Sequence, residues 1–357
     1  MAKLARGCFF CYLFMNKILQ LFREDYVINL FREQVLPLYP EYKEISQVEI
    51  KPYKKMIWTN TYHVVIGYKV GFKNQADEIN YVFIVCSAHS NEERKNVFAV
   101  LKYLWQKKFN QDIFDVPRPL FYSSEFNGTF YEGISGENLM YYIKKKDFPE
   151  IENMVILAAK LFSRLHKLPV SKEANFNPSN SRIKTVIPGS DIIIAEMTYR
   201  FEGKFHEDFK QIYTKLIEKE EALFARPDFK PCLIHGDAHT ENIINTGAGR
   251  LGLIDFTDFC LSDFTRDVGT FMQQLEYKIM ARHDNDTVYA KKMSALFLQK
   301  YLLERNLTLT PDLDERIKLY YDWTAVRTVV YLFLKHDSDP AKAEILLNKV
   351  KQDLAIK

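Results

Sequence analysis

The chain has 357 residues, of which 47% are hydrophobic and 27% are charged. This balance is typical of a globular protein of two domains or two lobes, with a large buried core. The formal net charge is only +3, and the lysines and arginines are scattered along the chain, which is not the pattern of a nucleic-acid-binding protein.

The cysteines and the N-terminal residues indicate the compartment. Five cysteines without regular spacing argue against a disulfide framework and favour a reducing environment. The apolar run GCFFCYLF at residues 7–14 is too short to span a bilayer, and no small-residue cleavage site follows it. We therefore expect a cytoplasmic protein that binds neither membrane nor nucleic acid. Its oligomeric state stays open.

The first predicted element is a helix from Met15 to about Leu36, where apolar residues recur at helical spacing until Pro37 interrupts them. Residues 45–88 then follow the pattern of strands, interrupted by the polar turn KNQADE at residues 73–78. The chain is thus predicted to open with a helix and to continue as antiparallel strands.

A second helix is predicted after Ser90 or Asn91, either of which is an expected N-cap. Two further strands, PRPLFYSS and GTFYEGI, flank a turn at Asn127-Gly128. These segments together predict a small sheet of about five strands with one helix. The rest of the chain is mainly helical in pattern, except for a strand-rich island at residues 232–256.

The strand-rich island contains the stretch LIHGDAHTENIIN at residues 233–245. A loop held between short strands is rigid, and rigid loops position catalytic groups well. Asp237 and Asn242 reproduce the Asp-x-x-x-x-Asn spacing of the protein-kinase catalytic loop, and Asp255 follows at the distance of a hairpin. Phosphoryl transfer needs a carboxylate that orients and deprotonates the attacking hydroxyl, and further oxygens that hold Mg²⁺ against nucleotide phosphates.

In these residues the chain resembles the aminoglycoside phosphotransferase and choline kinase-like family of small-molecule kinases. The segments that carry the resemblance are His235-Gly236-Asp237, Asn242, Ile254-Asp255-Phe256 and Asp267. Two more motifs are similar to the family's linker between lobes and to its Leu-His helix end; they are FYEGISGENL at residues 130–139 and LFSRLHKL at residues 161–168. Together these motifs span residues 119–275 in the family's order.

The resemblance implies a fold and a domain organisation. The expected fold is α+β and protein-kinase-like, with two lobes. Residues 1–44 are expected to form an N-terminal extension and helix, and residues 45–134 a nucleotide-binding N-lobe with a small antiparallel sheet. Residues 135–357 are expected to form a mainly helical C-lobe, in which an insert at about 175–228 covers the acceptor as a lid.

The resemblance also implies an activity. ATP or GTP, with Mg²⁺, is expected to donate its γ-phosphoryl group to a hydroxyl of a small molecule such as an amino alcohol, a sugar or an aminoglycoside-like compound. Asp237 is the expected catalytic base, and Asn242 and Asp255 are the expected Mg²⁺ ligands. His235 and Asp267 are expected to support the catalytic loop.

Further residues are expected to contact the two substrates. The backbone of the linker is expected to meet the nucleobase, through Glu132, Gly133 and Ile134. The hydroxyl of the acceptor is expected near Asp237, and the candidates for acceptor contacts are Thr257, Asp258 and Asp322.

The N-terminal part departs from the family at two positions. Family members usually carry a lysine on the third strand and a glutamate on the following helix that holds it. The alignment places Cys86 and Val97 at these positions. Lys69 on the preceding strand and Glu93 one turn earlier are the candidate replacements, so Lys69 is expected to contact the nucleotide phosphates.

Two other interpretations stay open at this point. His235 and His239 are four residues apart, as in some zinc sites, but Gly236 disfavours a helix there and no third ligand has suitable spacing. The missing lysine and glutamate favour a catalytically weak relative that binds nucleotide or a protein partner. The presence of the expected base, Asp237, and of both expected Mg²⁺ ligands, Asn242 and Asp255, favours an active kinase.

Overall fold

The computed structural model describes residues 16–92, 94–170, 175–335 and 338–356. The chain divides into two compact units: the first contains residues 1–111 and 115–135, and the second contains residues 112–114 and 136–357. The first unit is built on an antiparallel sheet, and the second is mainly helical. The predicted α+β fold, with a small antiparallel sheet followed by a helical part, is confirmed.

The described part of the first unit contains two α-helices and a five-stranded sheet. Its elements are α1 (Glu24–Gln34), β1 (Tyr42–Ile57), β2 (Tyr62–Asn74), β3 (Ile79–His89), α2 (Lys95–Gln106), β5 (Arg118–Ser123) and β6 (Gly128–Glu132). The short strand β4 (Phe114–Asp115) belongs instead to the sheet of the second unit, where it pairs with β10 (Arg250–Leu253). The five-stranded sheet has the strand order β1-β2-β3-β6-β5, and all neighbouring strands are antiparallel. The predicted number of strands is therefore correct.

One face of this sheet packs on α1, which explains the apolar alternation of the strands. Val64 and Ile66 of β2 are fully buried and share a hydrophobic cluster with Val27 and Phe31 of α1. The long first helix of the prediction is interrupted at Arg23, whose backbone is extended. A separate 3-10 helix therefore precedes α1.

The start of α2 differs from the prediction. The helix begins at Lys95, with Arg94 at the cap position, rather than directly after Ser90 or Asn91. The Ser90 hydroxyl oxygen instead accepts a hydrogen bond from the amide of Tyr62, at 3.2 Å. Ser90 thus fastens the segment before α2 to the start of β2. Glu93, a candidate replacement for the family's glutamate, lies outside the described residues.

The second unit contains the remaining helices. Their bounds are α3 (Leu139–Lys145), α4 (Phe148–Leu165), α5 (Ser190–Arg200), α6 (His206–Phe224), α7 (Thr265–Arg282), α8 (Thr287–Arg305), α9 (Pro311–Leu334) and α10 (Pro340–Asp353). Over the described parts of the chain, none of the helices combines the length and the apolar character needed to cross a membrane.

Short strands frame the catalytic stretch in this unit. They are β7 (Glu137–Asn138), β8 (Cys232–Ile234), β9 (Ile243–Gly247), β10 (Arg250–Leu253) and β11 (Cys260–Ser262). β8 pairs with β11, while β9 pairs with both β10 and β7, and all these pairs are antiparallel. Gly247 and Gly249 have positive φ angles at the tip of the β9–β10 hairpin, which confirms the predicted glycine turn.

The insert at residues 175–228 packs into the core of this unit. Phe209 and Leu216 of α6 are fully buried and share a hydrophobic cluster with Trp323 of α9. The buried Glu220 carboxylate accepts a hydrogen bond from the Tyr320 hydroxyl, at 2.9 Å. These contacts attach α6 firmly to α9. The role of the insert as a lid stays a prediction.

Candidate active site

The catalytic loop follows β8 and turns sharply at Gly236, where φ is +82°. A Cβ atom at this position would lie 2.2 Å from the carbonyl oxygen of Asp258, so the backbone conformation and the available space both require glycine. The loop is thereby pressed against the 3-10 turn Phe256–Asp258, which comes directly after Asp255.

The buried carboxylate of Asp267 holds the start of this loop. Its Oδ2 accepts a hydrogen bond from the amide of His235 at 2.7 Å, and its Oδ1 accepts one from the amide of Gly236 at 2.9 Å. Nε2 of His166 lies 3.0 Å from the same Oδ2. Burial favours a raised pKa for Asp267, but the hydrogen bonds from His166 and the His235 amide, with the nearby imidazoles, hold the pKa below its usual value.

His166, from the Leu-His motif at the end of α4, is itself held on both sides. Burial lowers its pKa, so the ring is neutral near neutral pH. Nε2 then donates to Asp267, and Nδ1 accepts from the Tyr301 hydroxyl, at 2.7 Å. Three segments that are distant in sequence are therefore joined by one chain of buried hydrogen bonds.

The ring of His235 links the catalytic loop to the end of the β9–β10 hairpin. Its Nε2 donates to the carbonyl oxygen of Ile254, at 2.9 Å. The backbone of the same residue is bonded to Asp267, so this histidine connects two parts of the site. His235 and Asp267 thus both lie where a role in supporting the loop requires them.

A row of alternating charges begins at Asp237. Asp237 Oδ2 lies 3.2 Å from Nε2 of His239, and Nδ1 of His239 lies 3.0 Å from Glu241 Oε2. Glu241 Oε1 in turn contacts the Lys278 ammonium at 2.7 Å. Sequence reasoning assigned no role to the last three residues. Two of them stand in the quoted stretch, but nothing in the sequence connects Lys278 of α7 to them.

The charges in this row shift one another's pKa values. Burial favours a lower pKa for His239, but the hydrogen bonds to Asp237 and Glu241 outweigh burial and raise the pKa to about 9. Burial favours a higher pKa for Asp237, yet the hydrogen bond and charge of His239, with Arg327 nearby, hold its pKa well below the usual range. At neutral pH the row therefore contains an ionised Asp237 beside a protonated His239.

Asn242 and Asp255 offer the donor atoms that Mg²⁺ prefers. The Asn242 amide nitrogen donates to the carbonyl oxygen of Asp237 at 3.0 Å, so its oxygen is oriented away from that bond. The Ile254 amide donates to the Asn242 carbonyl at 3.1 Å, which brings the residue before Asp255 against Asn242. Asp255 is exposed, has a left-handed backbone and accepts a hydrogen bond from the Thr257 hydroxyl at 2.9 Å.

This donor set fits Mg²⁺ that is shared with a nucleotide. Among the described residues, no three His, Cys, Asp or Glu side chains are grouped to hold a metal ion by themselves. Mg²⁺ in nucleotide sites is usually held by one or two protein oxygens, with phosphates and water completing the octahedron. An amide oxygen from Asn242 and a carboxylate from Asp255 meet that requirement.

The turn that carries Thr257 and Asp258 is fastened by the insert. The carbonyl oxygens of these two residues accept hydrogen bonds from the side-chain amides of Asn177 and Asn180, at 3.1 and 2.7 Å. Burial raises the pKa of Asp258, and the charge of Asp237 raises it further. Asp258 thus lies in the electrostatic field of Asp237, and its contact with the acceptor stays a prediction.

A cavity of about 360 Å³ opens beside Asp237. One wall is a stripe of α7 and the other is a stripe of α9, since the lining residues recur at helical spacing on both. The lining side chains are Asp237, His239, Glu241, Thr270, Gln274, Tyr277, Lys278, Thr324, Arg327, Thr328 and Tyr331. The volume and the polar lining suit a small hydrophilic molecule.

Asp322, the third acceptor candidate, does not line this cavity. It is five residues before Arg327 on α9, which places the two side chains about 140° apart around a helix of about 100° per residue. Asp322 is 1% exposed, and burial, with the charge of Asp353, raises its pKa to about 7. The structure therefore brings Asp237 and Arg327 together and leaves Asp322 outside the cavity.

The linker residues lie at the end of the sheet in the first unit. The Gly133 amide donates to the carbonyl oxygen of Phe83 at 2.8 Å, so it is already used. The Glu132 carboxylate accepts a hydrogen bond from the Tyr39 hydroxyl at 2.8 Å. Among the described residues, the amide of Ile134 has no backbone acceptor, and its contact with a nucleobase stays a prediction.

Lys69 is engaged within the sheet. Its ammonium lies 3.3 Å from Glu49 Oε1 and 4.4 Å from the centre of the Tyr81 ring. A contact with nucleotide phosphates would require these interactions to be exchanged. The half-exposed ion pair is weak, so the exchange is energetically modest.

Cys86, which stands at the position of the family's lysine, is fully buried in the cluster that contains Phe31 of α1. Because side chains alternate along a strand, its neighbours Val85 and Ser87 point to the opposite face, which also carries Lys69. Neither neighbour is a cation, so β3 offers no lysine at this point.

Three features are those of a kinase-like phosphotransferase. Asp237 lies in a braced loop after β8, Asp255 follows the β9–β10 hairpin, and an antiparallel sheet precedes both in the chain. Residues 67–296 match the family model of the phosphotransferase enzyme family, and the chain belongs to that family. The protein is thus a small-molecule kinase by family. No curated protein sequence matches the chain significantly.

Solved structures of the same fold include kinases for different acceptors. The chain is 16% identical to an ethanolamine kinase of Plasmodium vivax, with a TM-score of 0.54 over 85% of this chain and 82% of the other. It is 14% identical to APH(2″)-IIa in a ternary complex with streptomycin and ATP, with a TM-score of 0.51 over 93% and 98%. These similarities confirm the protein-kinase-like fold.

Amicoumacin kinase hAmiN, in complex with AMP-PNP, Ca²⁺ and Ami, is also similar. The identity is 13%, and the TM-score is 0.51 over 92% of this chain and 95% of the other. At such identities the likeness extends to the fold alone.

Proposed function

We propose that this protein transfers the γ-phosphoryl group of ATP or GTP to a hydroxyl group of a small molecule. The observation that carries the proposal is the position of Asp237. Its ionised carboxylate lines a cavity of about 360 Å³, at the end of a loop that Asp267 fixes at two backbone amides. A rigid carboxylate beside a small polar cavity is the arrangement that a hydroxyl acceptor requires.

At phosphorus the reaction forms one bond and breaks one, and the hydroxyl proton passes to Asp237. The acceptor oxygen attacks the γ-phosphorus, the bond to the bridging oxygen breaks, and the nucleoside diphosphate leaves. Asp237 Oδ2 is bonded to His239, so the hydroxyl is oriented by Oδ1, which accepts its proton. The low basicity of Asp237 is compatible with this role, because phosphoryl transfer through a loose transition state depends mainly on positioning.

Asn242 and Asp255 would hold Mg²⁺, with the amide oxygen of one and the carboxylate of the other as ligands. When bound, Mg²⁺ supplies positive charge that neutralises the phosphate oxygens. Thr257 fixes one oxygen of Asp255 through its hydroxyl, at 2.9 Å, and so leaves the other carboxylate oxygen available. The amide of Ile134 would donate to the nucleobase.

A second candidate function is nucleotide binding with little or no turnover. It is favoured by the first unit, where Cys86 of β3 and Val97 of α2, at the positions of the family's lysine and glutamate, are both buried and uncharged. The family's lysine and glutamate pair therefore has no counterpart at these positions. The intact arrangement around Asp237 favours the active kinase.

A screen for acceptor-dependent release of ADP or GDP tests the proposal. Small hydroxyl compounds of different charge are offered with ATP or GTP and Mg²⁺, and the Asp237→Asn variant is assayed beside the wild type. We expect turnover to fall by about 10² to 10⁴-fold in the variant, with little change in nucleotide affinity. Near-normal turnover would show that Asp237 is not the base.

The matched control is Asp322→Asn. It makes the same chemical change in an aspartate that is buried and lies outside the cavity. Its turnover should stay close to that of the wild type. Mg²⁺-dependent thermal stabilisation by nucleotide without turnover by any acceptor would favour the second candidate function.

A further inference from the structure

The ionisable side chains that line the acceptor cavity are unequally paired. The two carboxylates, Asp237 and Glu241, are in contact with His239 and Lys278. The fifth ionisable side chain of the lining, Arg327, lies outside this row of contacts. Its guanidinium is a permanent positive charge on the cavity wall.

Arg327 has no carboxylate partner within the described residues. Its guanidinium lies 4.9 Å from the centre of the Trp323 ring, which is the contact that holds it. It lowers the pKa of Asp237 and acts in the same direction on Asp258, so it lies near the proposed site of transfer. A guanidinium at a cavity wall without an anion is a binding group for one, because its planar donors match carboxylate and phosphate oxygens.

The neutral side chains of the cavity are hydrogen-bonding groups. Thr270 and Thr324 lie 2.9 Å apart through their hydroxyl oxygens, and the Gln274 amide donates to the Thr328 hydroxyl at 3.1 Å. These groups suit the hydroxyls of a small acceptor. A polycationic acceptor would meet Arg327 and Lys278 at close range, which is unfavourable.

We infer that the acceptor is a small hydroxyl compound with one anionic group, and that Arg327 binds this anion while the hydroxyl lies at Asp237. The inference rests on the proposed function, because it takes Asp237 as the place of phosphoryl transfer. The anion is a carboxylate or a phosphate, since both match the guanidinium. Of the acceptors that the family resemblance suggested, which were amino alcohols, sugars and aminoglycoside-like compounds, this class excludes the cationic ones.

Matched acceptors test the charge of the substrate. The probes are 4-hydroxybutyrate, its neutral carboxamide and 4-aminobutanol, with glycerol 3-phosphate as the phosphate probe. Direct binding to the full chain is measured by calorimetry or thermal shift, and turnover is measured as ADP release. We expect the acids to bind at least tenfold more tightly than the amide and the amine. Equal binding of all probes would overturn the inference, and the carboxylate and phosphate probes separate the two anions.

Variants of Arg327 test the residue. Arg327→Gln should raise the Kd and KM for the acid by about ten- to a hundredfold, while nucleotide affinity stays unchanged. Arg327→Lys, which keeps the charge, should restore part of the affinity. The control is Lys318→Gln, which removes a half-exposed cation of the same helix outside the cavity.

Two outcomes separate this inference from the proposed function. Acid binding that depends on Arg327 but gives no ADP release would support the inference and contradict the proposed transfer. A loss of kcat in Arg327→Gln that is equal for acidic, neutral and cationic acceptors would show that Arg327 acts on the transferred phosphoryl group. That result would overturn the inference and leave the proposed function intact.

Discussion

Nε2 of His239 lies 3.2 Å from Oδ2 of Asp237. The carboxylate proposed as the catalytic base is therefore bonded to a cation at one oxygen and open at the other. This pairing keeps Asp237 ionised and fixes its orientation, while it lowers the basicity of the carboxylate. Lys278 and Glu241 extend the same pattern and hold the His239 ring from the other side.

The first prediction concerns the pH dependence of this pairing. The pKa of His239 is about 9 in the folded chain and about 6.5 in an unfolded one. A raised pKa means that the stabilisation is fully present below pH 6.5 and is lost as the pH rises through about 9. We expect His239→Gln to lower the free energy of unfolding by roughly 1 to 3 kcal/mol at pH 7, and by clearly less at pH 9.5.

Urea unfolding at the two pH values measures this difference. The control is the pair of variants Asp237→Asn and Asp237→Asn with His239→Gln, since a double-mutant cycle isolates the coupling between the two residues. A cost of His239→Gln that is the same at pH 7 and pH 9.5 would contradict an ionic role for His239.

The second prediction concerns the metal ligands. Asp255→Ala should abolish the Mg²⁺-dependent part of the thermal stabilisation by ATP while leaving a folded protein, because Asp255 is exposed and lies on a short turn. The measurement is the melting temperature with ATP, with and without Mg²⁺. The control is Asp191→Ala, an aspartate in the first turn of α5 outside the cavity. Unchanged stabilisation by Mg²⁺ in a folded Asp255→Ala variant would remove this residue from the site.

The third prediction concerns the buried support of the loop. Asp267→Asn replaces an acceptor of two backbone amides by a group that has only one acceptor oxygen, and it leaves a buried amide donor facing other donors. We expect the variant to lose about 2 to 4 kcal/mol of unfolding free energy. Denaturant unfolding measures the loss.

A surface substitution of the same kind provides the control. Asp228→Asn removes a carboxylate whose ion pair with Arg226 is exposed, so its stability should be nearly unchanged. Equal stabilities for Asp267→Asn and wild type would show that the His166, Asp267 and catalytic-loop contacts do not stabilise the fold.

The fourth prediction concerns the phosphate contact proposed for Lys69. Because the ion pair with Glu49 is half-exposed and weak, the Lys69 ammonium can exchange it for a phosphate, and we expect Lys69→Ala to weaken ATP binding by about ten- to a hundredfold. A change of less than about threefold would show that Glu49 and Tyr81 retain the ammonium. Titration of ATP against wild type and variant distinguishes the two results, with Lys51→Ala of β1 as the matched surface control.

The sequence by itself determined the local features of the chain. The order of strands and helices follows from apolar periodicity, and the spacing of Asp237, Asn242 and Asp255 is sufficient to identify a kinase-like loop. These features involve residues that are close in sequence, and the short strands and the glycine turn leave them few conformations. The predicted cap of α2 was wrong because the Ser90 hydroxyl is used by a distant amide.

Only the tertiary structure decided which distant side chains meet. Asp267 and His166 are 101 positions apart, and their contact depends on how α7 packs on the loop and on α4. The sequence does not show how such helices pack, because two side chains of similar chemistry on one helix can face different parts of the molecule. For that reason Arg327 lines the cavity while Asp322 of the same helix is buried elsewhere. Which charged side chains line the acceptor cavity therefore depends on how the helices pack.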